Sequence, residues 1–309
     1  MQIFATFALL LALSGFQSIS PFACRWGRPA EVGLLEEPID EASGLAISRR
    51  IPDRSYHIND SDVTGRFFVT NLAGRNTRTV YVTGFQPKDT EDLGLGPCDT
   101  TTDCLFIGDI GDNDRVRTEI EIIVIEERAD FPTEARIRNR VRARYPDAPH
   151  DAESMAVHPD GDIYILTKNF ELSGLRPTVG PASLYRLRQD QWRNSRSAIE
   201  TMELVMTLDF AKLLPRSLLG GRLPTGMDIS PDGKRVLVLT YQDAVEFFVD
   251  LSTLPTSDTW KEGQHYRRIP LLVLQQQEAI SFTPDGKAFI YTTERMATNA
   301  RIVEIKCSE

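Results

Sequence analysis

Carboxylate side chains recur just before or just after short hydrophobic segments of this chain. Calcium takes about six to eight oxygen ligands from carboxylates, amides and backbone carbonyls, so a convergence of these side chains would form a calcium site. The densest run, Asp109 to Asp114, lacks the spacing and the terminal glutamate of an EF-hand loop. The calcium ligands expected from this pattern are Glu41, Asp60, Glu91, Asp92, Asp109, Asp112, Glu153 and Glu278.

Two of the glutamates are also candidates for catalysis. In a calcium-dependent hydrolase the cation would polarise a substrate oxygen while Glu153 or Glu91 takes a proton from water. As the alternative, the acidic side chains only cap turns by accepting hydrogen bonds from backbone amides. Zinc is disfavoured because the four histidines are dispersed. The polar residues expected to contact a ligand are His57, Asn59, Asn113, Lys168, Tyr241 and Arg295.

A repeated segment positions these residues. Glu153–Gly161, Gly226–Gly233 and Glu278–Gly286 each read as a short strand that ends in a Pro-Asp-Gly turn, followed by a β-branched or aromatic strand. Proline and glycine at these turn positions favour β-hairpins. More degenerate copies begin at Glu41 and Glu91.

The segments between the hairpins add two further strands to each repeat, and four strands per repeat are typical of a β-propeller blade. We predict an all-β fold, a five-bladed β-propeller, as a single domain over residues 24–309. Six blades are the alternative, because the interval from Glu153 to Thr225 is long enough to contain another. The last repeat has only three strands, and a strand around Glu31–Leu35 would supply the fourth, so that the N- and C-terminal strands close the ring.

Propeller geometry predicts where the acidic residues meet. The loops that enter the first strand of each blade and those that join its second and third strands open on one face, whereas the Pro-Asp-Gly turns lie on the other. The carboxylates would therefore converge at one mouth of the central channel, where they repel one another unless a cation compensates. We expect this acidic face to bind a small-molecule ligand or an extracellular partner.

Composition and charge exclude several classes of protein. The chain has 309 residues, of which 41% are hydrophobic, and its 44 acidic and 35 basic residues give a net charge of −9. This balance argues against a nucleic-acid partner and against an anionic membrane surface.

The first twenty residues resemble a secretory signal peptide, since an uncharged apolar run extends from Ile3 to Leu13. Cleavage after Ser14 is as compatible with the sequence as cleavage after Ser20. A buried N-terminal helix would also account for the apolar run, and cleavage after Ala23 would leave Cys24 as a site for a lipid. No later segment reaches membrane-spanning length. We expect a protein without a membrane span that is secreted or extracellular, or periplasmic in a Gram-negative bacterium.

Four cysteines in an exported chain favour two disulfides. Cys98 and Cys104 flank a short polar loop that a disulfide would close. The remaining pair, Cys24 with Cys307, would join the two ends of the chain at the seam of the ring. The alternative is that Cys24 and Cys307 are both free and buried.

Several blocks resemble a group of exported, largely uncharacterised β-propeller proteins and, more distantly, phytase-like and esterase-like propellers. The blocks begin at Glu41, His57, Glu91 and Asp151, and the most specific is Ile107–Asn113. For phytase-like members, the resemblance implies calcium ions in an acidic channel that bind a phosphate ester and activate water. Two functions follow: a calcium-binding module for a ligand or partner, or a calcium-dependent hydrolase of phosphate or carboxylic esters, including lactones.

Overall fold

The computed structural model describes residues 24–60, 63–173, 176–195, 198–249, 251, 259–272, 274–296 and 299–308. The predicted signal peptide and its cleavage points lie outside these residues. Among the described residues, five sheets whose blade strands pair antiparallel surround a common axis, so the predicted five-bladed β-propeller is confirmed. No helix in this part of the chain is long and apolar enough to cross a membrane.

The strands are numbered in chain order, and each blade begins with its innermost strand. Strands β1 (Arg25–Trp26) and β2 (Ala30–Leu34) precede the first blade. Blade 1 contains β3 (Ala42–Ile47), β4 (Ser55–Asn59), β5 (Arg66–Thr70) and β6 (Arg78–Thr83). Blade 2 contains β7 (Thr90–Pro97), β8 (Asp103–Asp109), β9 (Ile120–Glu126) and β11 (Asn139–Arg144). Blade 3 contains β12 (Ala152–Val157), β13 (Ile163–Thr167), β16 (Ala182–Leu187) and β18 (Glu203–Leu208). Blade 4 contains β19 (Pro224–Ile229), β20 (Arg235–Thr240), β21 (Asp243–Phe248) and β22 (Tyr266–Pro270). Blade 5 contains β23 (Gln277–Phe282), β24 (Ala288–Thr293) and β25 (Arg301–Ser308).

The ring closes at blade 5, where both N-terminal strands pair with the C-terminal strand. β1 and β2 lie antiparallel to β25, with Trp26 opposite Cys307 and Ala30 opposite Glu304. A disulfide between Cys24 and Cys307 fastens this seam, and the Cα atoms are 5.3 Å apart. The second disulfide joins Cys98 and Cys104. The predicted closing strand and both cysteine pairings are confirmed.

Elements that the sequence pattern did not predict lie mostly on the outer edges of the blades. β10 (Glu134–Arg136) pairs in parallel with β6, and β17 (Ile199–Thr201) pairs in parallel with β11, so each links one blade to the next. A hairpin of β14 (Phe170–Ser173) and β15 (Arg176–Val179) and helix α1 (Gln189–Asn194) fill the long interval of blade 3. The six-bladed alternative is therefore wrong. A short helix, α2 (Phe210–Leu213), precedes blade 4, and a 3-10 turn follows at Leu219–Arg222.

The hydrophobic core is divided among the interfaces between blades. Five clusters of buried residues correspond to the five blade interfaces, including Phe106 with Met155 between blades 2 and 3. The innermost strands approach one another closely. A Cβ atom at Gly44 would lie 2.6 Å from the amide nitrogen of Leu93, so glycine is required there.

Candidate functional site

A β-bulge at the start of the innermost strand of every blade positions the residues of the channel mouth. In each blade, one residue is skipped between consecutive registered pairs, as between Thr90 and Asp92 of β7. Because a bulge bends the strand and re-aims a side chain, the five skipped residues form an equivalent ring. Its members are Ser43, Glu91, Glu153, Thr225 and Glu278.

Two members of this ring are hydroxyl residues that join neighbouring blades. Ser43 Oγ donates to the carbonyl of Glu91 at 2.5 Å, and Thr225 Oγ1 donates to the carbonyl of Gln277 at 2.7 Å. In blade 1 the position equivalent to the three glutamates is thus Ser43, whereas the sequence repeat points to Glu41. The three carboxylates of this ring therefore come from blades 2, 3 and 5.

A second ring consists of the first residue after the second strand of each blade. Backbone hydrogen bonds fix three of its members: the amide of Asp60 donates to Glu41 O at 2.7 Å, that of Lys168 to Asp151 O at 2.9 Å and that of Glu294 to Gln276 O at 2.9 Å. In chain order, the five residues of the ring are Asp60, Ile110, Lys168, Tyr241 and Glu294.

Three carboxylates of the mouth lie within reach of a single ion. One oxygen from each of Asp60, Asp89 and Glu91 lies within 4.8 Å of the other two. Gly111 leaves room for them, because a Cβ atom there would lie 2.4 Å from Glu91 Oε1 and 2.5 Å from Asp89 Oδ2. Its amide also donates to the Asp89 carbonyl at 3.1 Å. Gly111 belongs to the acidic run 109–114, so this run shapes the site through its backbone.

The other side of the mouth contains a paired cation. The ammonium of Lys168 contacts Glu153 Oε1 and lies 3.4 Å from the hydroxyl of Tyr241. Tyr241 in turn hydrogen-bonds Glu278. Glu153 and Glu278 are buried, and the Lys168 side chain is 13% exposed.

Burial and mutual repulsion act on the glutamates of the mouth. Burial, followed by the like charges of Glu153 and Asp60, raises the pKa of Glu91 well above its ordinary value. Burial and the like charge of Glu153 also raise the pKa of Glu278 well above its ordinary value. Burial also raises the pKa of Glu153 to about 7, although Lys168 opposes the shift. Proton uptake or a bound cation would relieve this repulsion.

Three of the acidic residues expected as ligands already accept hydrogen bonds from the backbone. Asp92 binds the amides of Leu93 and Met155, both at 2.7 Å. Asp109 binds the amides of Lys88 and Asp89 and pairs with Arg117 at 3.0 Å. Asp112 accepts from the amides of Val116 and Arg117 at 3.0 and 2.7 Å. These contacts correspond to the turn-capping alternative, so the oxygens of these three residues are already engaged by the protein.

The remaining expected residues lie at different depths. His57 is buried within blade 1, where Nε2 contacts Ser55 and Thr70, and burial lowers its pKa to about 3. Asn59 is also buried, and its side-chain amide donates to the Pro38 carbonyl and to Asp40 Oδ1.

Three expected residues are exposed on the mouth face, namely Glu41, Asn113 and Arg295. Arg295 forms an ion pair with Glu37, whereas the charge of Glu41 acts on Glu294.

Asp89 is the member of the cluster that the sequence pattern does not single out. It precedes Glu91 by two residues and lies before the hydrophobic segment begins. Its amide is held by Asp109, 2.8 Å away, which is a contact between distant parts of the chain. The sequence signal for Asp89 is its position as an acidic residue two positions before Glu91.

Comparisons with known proteins add no functional information. No family model matches this chain, and no curated protein matches it. Among solved structures, it is similar to Kuenenia stuttgartiensis hydrazine synthase, with 13% identity, a TM-score of 0.42 and coverage of 82% of this chain and 69% of that chain. It is also similar to the nidogen/laminin complex, with 12% identity, a TM-score of 0.43 and coverage of 84% and 74%.

Proposed function

We propose that this protein is an exported calcium-binding β-propeller whose acidic mouth binds a ligand or an extracellular partner through the ion. The observation that carries the proposal is the triad of Asp60, Asp89 and Glu91, whose oxygens lie within 4.8 Å of one another. Calcium–oxygen distances of about 2.3–2.6 Å separate opposite ligands by about 5 Å, so the spacing fits one ion.

The chemistry of the donors supports calcium over softer metals. The triad offers only carboxylate oxygens, which are hard ligands, and none of the histidines belongs to it. Three protein residues fill only part of the six to eight positions that calcium takes, at about one or two oxygens each. The open positions would accept oxygens of water, a ligand or a partner.

Electrostatics supports a cation at this place. Eight carboxylates act on one another's charges, and Lys168 compensates only part of this repulsion. A divalent ion would lower the repulsion further. The eight residues are Glu41, Asp60, Asp89, Glu91, Asp151, Glu153, Glu278 and Glu294.

The two disulfides support export to an oxidising compartment, since such bonds seldom persist in the cytosol. Extracellular calcium-binding modules have dissociation constants of about 10⁻⁴–10⁻³ M, which is compatible with a site built from few protein ligands.

Calorimetric titration of chelator-treated protein with calcium tests the proposal. We expect saturable binding that Asp89→Asn and Glu91→Gln each weaken. Asp160→Asn, in the turn at the opposite end of blade 3, is the matched control and should bind as the unmodified protein does. Absence of binding at millimolar calcium, or equal losses in all three variants, would contradict the proposal.

Hydrolysis of phosphate or carboxylic esters, including lactones, is the second candidate, in line with the resemblance to phytase-like and esterase-like propellers. The specific observation in its favour is that burial raises the pKa of Glu153 to about 7, which suits a general base at neutral pH. A screen of ester and phosphoester substrates, with and without calcium, tests it. Turnover that depends on calcium and is lost in Glu153→Gln would support hydrolysis.

A further inference from the structure

The ammonium of Lys168 lies in the mouth in the way that a bound cation would. It contacts Glu153 Oε1, lies 3.4 Å from Tyr241 Oη and is 5.6 Å from the centre of the Tyr241 ring. The partners are held from two blades, since Glu153 is the bulge residue of blade 3 and Tyr241 follows the second strand of blade 4. With side chains 13% and 9% exposed, Lys168 and Glu153 are largely removed from solvent.

Equivalent positions of blades 1 and 3 carry side chains of opposite charge. Lys168 occupies the position in blade 3 that Asp60 occupies in blade 1. Asp60 adds a carboxylate to the proposed calcium triad, whereas Lys168 brings a positive charge to the carboxylates of Glu153 and Glu278. The mouth thus has one group of three acidic residues whose oxygens lie close together and a second group that already surrounds an ammonium.

We infer that Glu153, Glu278 and Tyr241 form a second cation subsite that Lys168 fills, so that the mouth takes one calcium ion instead of two. The inference rests on the proposed calcium site, which it deepens by fixing the number of ions. An ammonium provides one positive charge and three donors, and Glu153 and Tyr241 use two of these directions. Without it, the same oxygens are hard ligands of the kind that calcium prefers.

The number of bound calcium ions tests this inference. Metal-free protein and its Lys168→Met variant are titrated with calcium, and the ions are counted by calorimetry and by native mass spectrometry. We expect one ion in the unmodified protein and one more in Lys168→Met. Lys168→Arg keeps the positive charge and should retain one ion. Lys234→Met removes an exposed lysine of the opposite face and should also leave the number unchanged.

A double variant separates a true subsite from a general effect of charge. Glu153→Gln combined with Lys168→Met removes the carboxylate as well as the ammonium, and the count should return to one. Equal numbers of ions in Lys168→Met and in the unmodified protein would overturn the inference while leaving the first site intact. Absence of binding in the unmodified protein would instead overturn the proposed function.

Stability provides a second measurement if Lys168→Met folds poorly. The substitution leaves Glu153 buried without its counter-charge, so the melting temperature of the metal-free variant should fall. Calcium should then raise the melting temperature of Lys168→Met by more than it raises that of the unmodified protein. Equal rises would overturn the inference.

Discussion

Arg117 and Asp109 form a buried ion pair, in which the guanidinium Nη1 lies 3.0 Å from the carboxylate Oδ1. The same guanidinium donates from Nη2 to the Asp109 carbonyl at 3.0 Å and from Nη1 to the Gly111 carbonyl at 2.6 Å. Because Asp109 also holds the amide of Asp89, this pair connects the core of blade 2 with the proposed calcium triad.

Removal of either member of this pair should destabilise the protein. Asp109→Ala leaves Arg117 buried without a counter-charge, so we expect the free energy of unfolding to fall by about 3–5 kcal/mol. Arg117→Met should cost a similar amount. Urea denaturation of both single variants and the double variant gives the coupling, and strictly additive costs would contradict it.

Calcium should stabilise the folded protein by mass action. At a free concentration about 100 times the dissociation constant, the gain is about 2.7 kcal/mol, which for a domain of this size raises the melting temperature by roughly 4–5 °C. Scanning calorimetry of chelated protein, with and without added calcium, measures the shift. Identical melting curves would count against a site.

Carboxylates of the mouth and of the Pro-Asp-Gly turns should behave differently. Asp89→Asn and Glu91→Gln should weaken calcium binding by about tenfold or more, or about 1.4 kcal/mol, because the amide keeps the shape but loses the charge. Asp232→Asn and Asp285→Asn should leave the affinity unchanged, since these side chains cap their own turns. Equal effects in the two groups would mean that the calcium site has been assigned to the wrong face of the propeller.

The metal-free protein should lose stability as the pH rises towards neutrality through the titration of Glu153. Burial raises its pKa from 4.5 to about 7 in the folded state. Between these values the folded state binds more protons than the unfolded state, so its stability falls with rising pH by up to about 3 kcal/mol. Below about 4.5 and above about 7 the contribution of this residue is constant.

The effect is best measured as a difference, because His57 acts in the opposite direction. Burial lowers the pKa of His57 to about 3, so its contribution grows as the pH rises from about 3 to 6.5. Urea denaturation at several pH values compares the unmodified protein with Glu153→Gln in chelator. The free energy of unfolding of the unmodified protein, minus that of Glu153→Gln, should fall between pH 5 and 8. A constant difference would contradict the prediction.

The two disulfides should differ in their contribution to stability. The sequence separation is 283 for Cys24–Cys307 and 6 for Cys98–Cys104. In the chain-entropy model the first contributes about 5–6 kcal/mol and the second about 2–3 kcal/mol. Denaturation of Cys24→Ala with Cys307→Ala, compared with Cys98→Ala with Cys104→Ala, tests the order. A larger loss for the second pair would contradict the entropic argument.

The hairpins and the ring closure could be predicted from the sequence because both depend on local signals. The Pro-Asp-Gly turns set the backbone conformation over a few residues, so β12–β13, β19–β20 and β23–β24 followed directly. The missing strand of the last repeat and the cysteines near both ends were sufficient to predict the seam between β2 and β25.

The composition of the mouth was decided by tertiary structure, since it depends on which backbone groups compete for each carboxylate. Asp109 and Glu91 look equivalent in the sequence, yet Asp109 is held by Arg117 and two amides whereas Glu91 faces Asp60 and Asp89.

Register was the other feature beyond the reach of the sequence. The bulges place Ser43, instead of Glu41, in the ring of mouth residues, and a displacement of two residues leaves the strand pattern unchanged because side chains alternate with a period of two. The sequence alone determined the fold and the excess of acidic residues at one mouth. Packing between blades decided which of these carboxylates the protein's own amides and guanidinium groups engage.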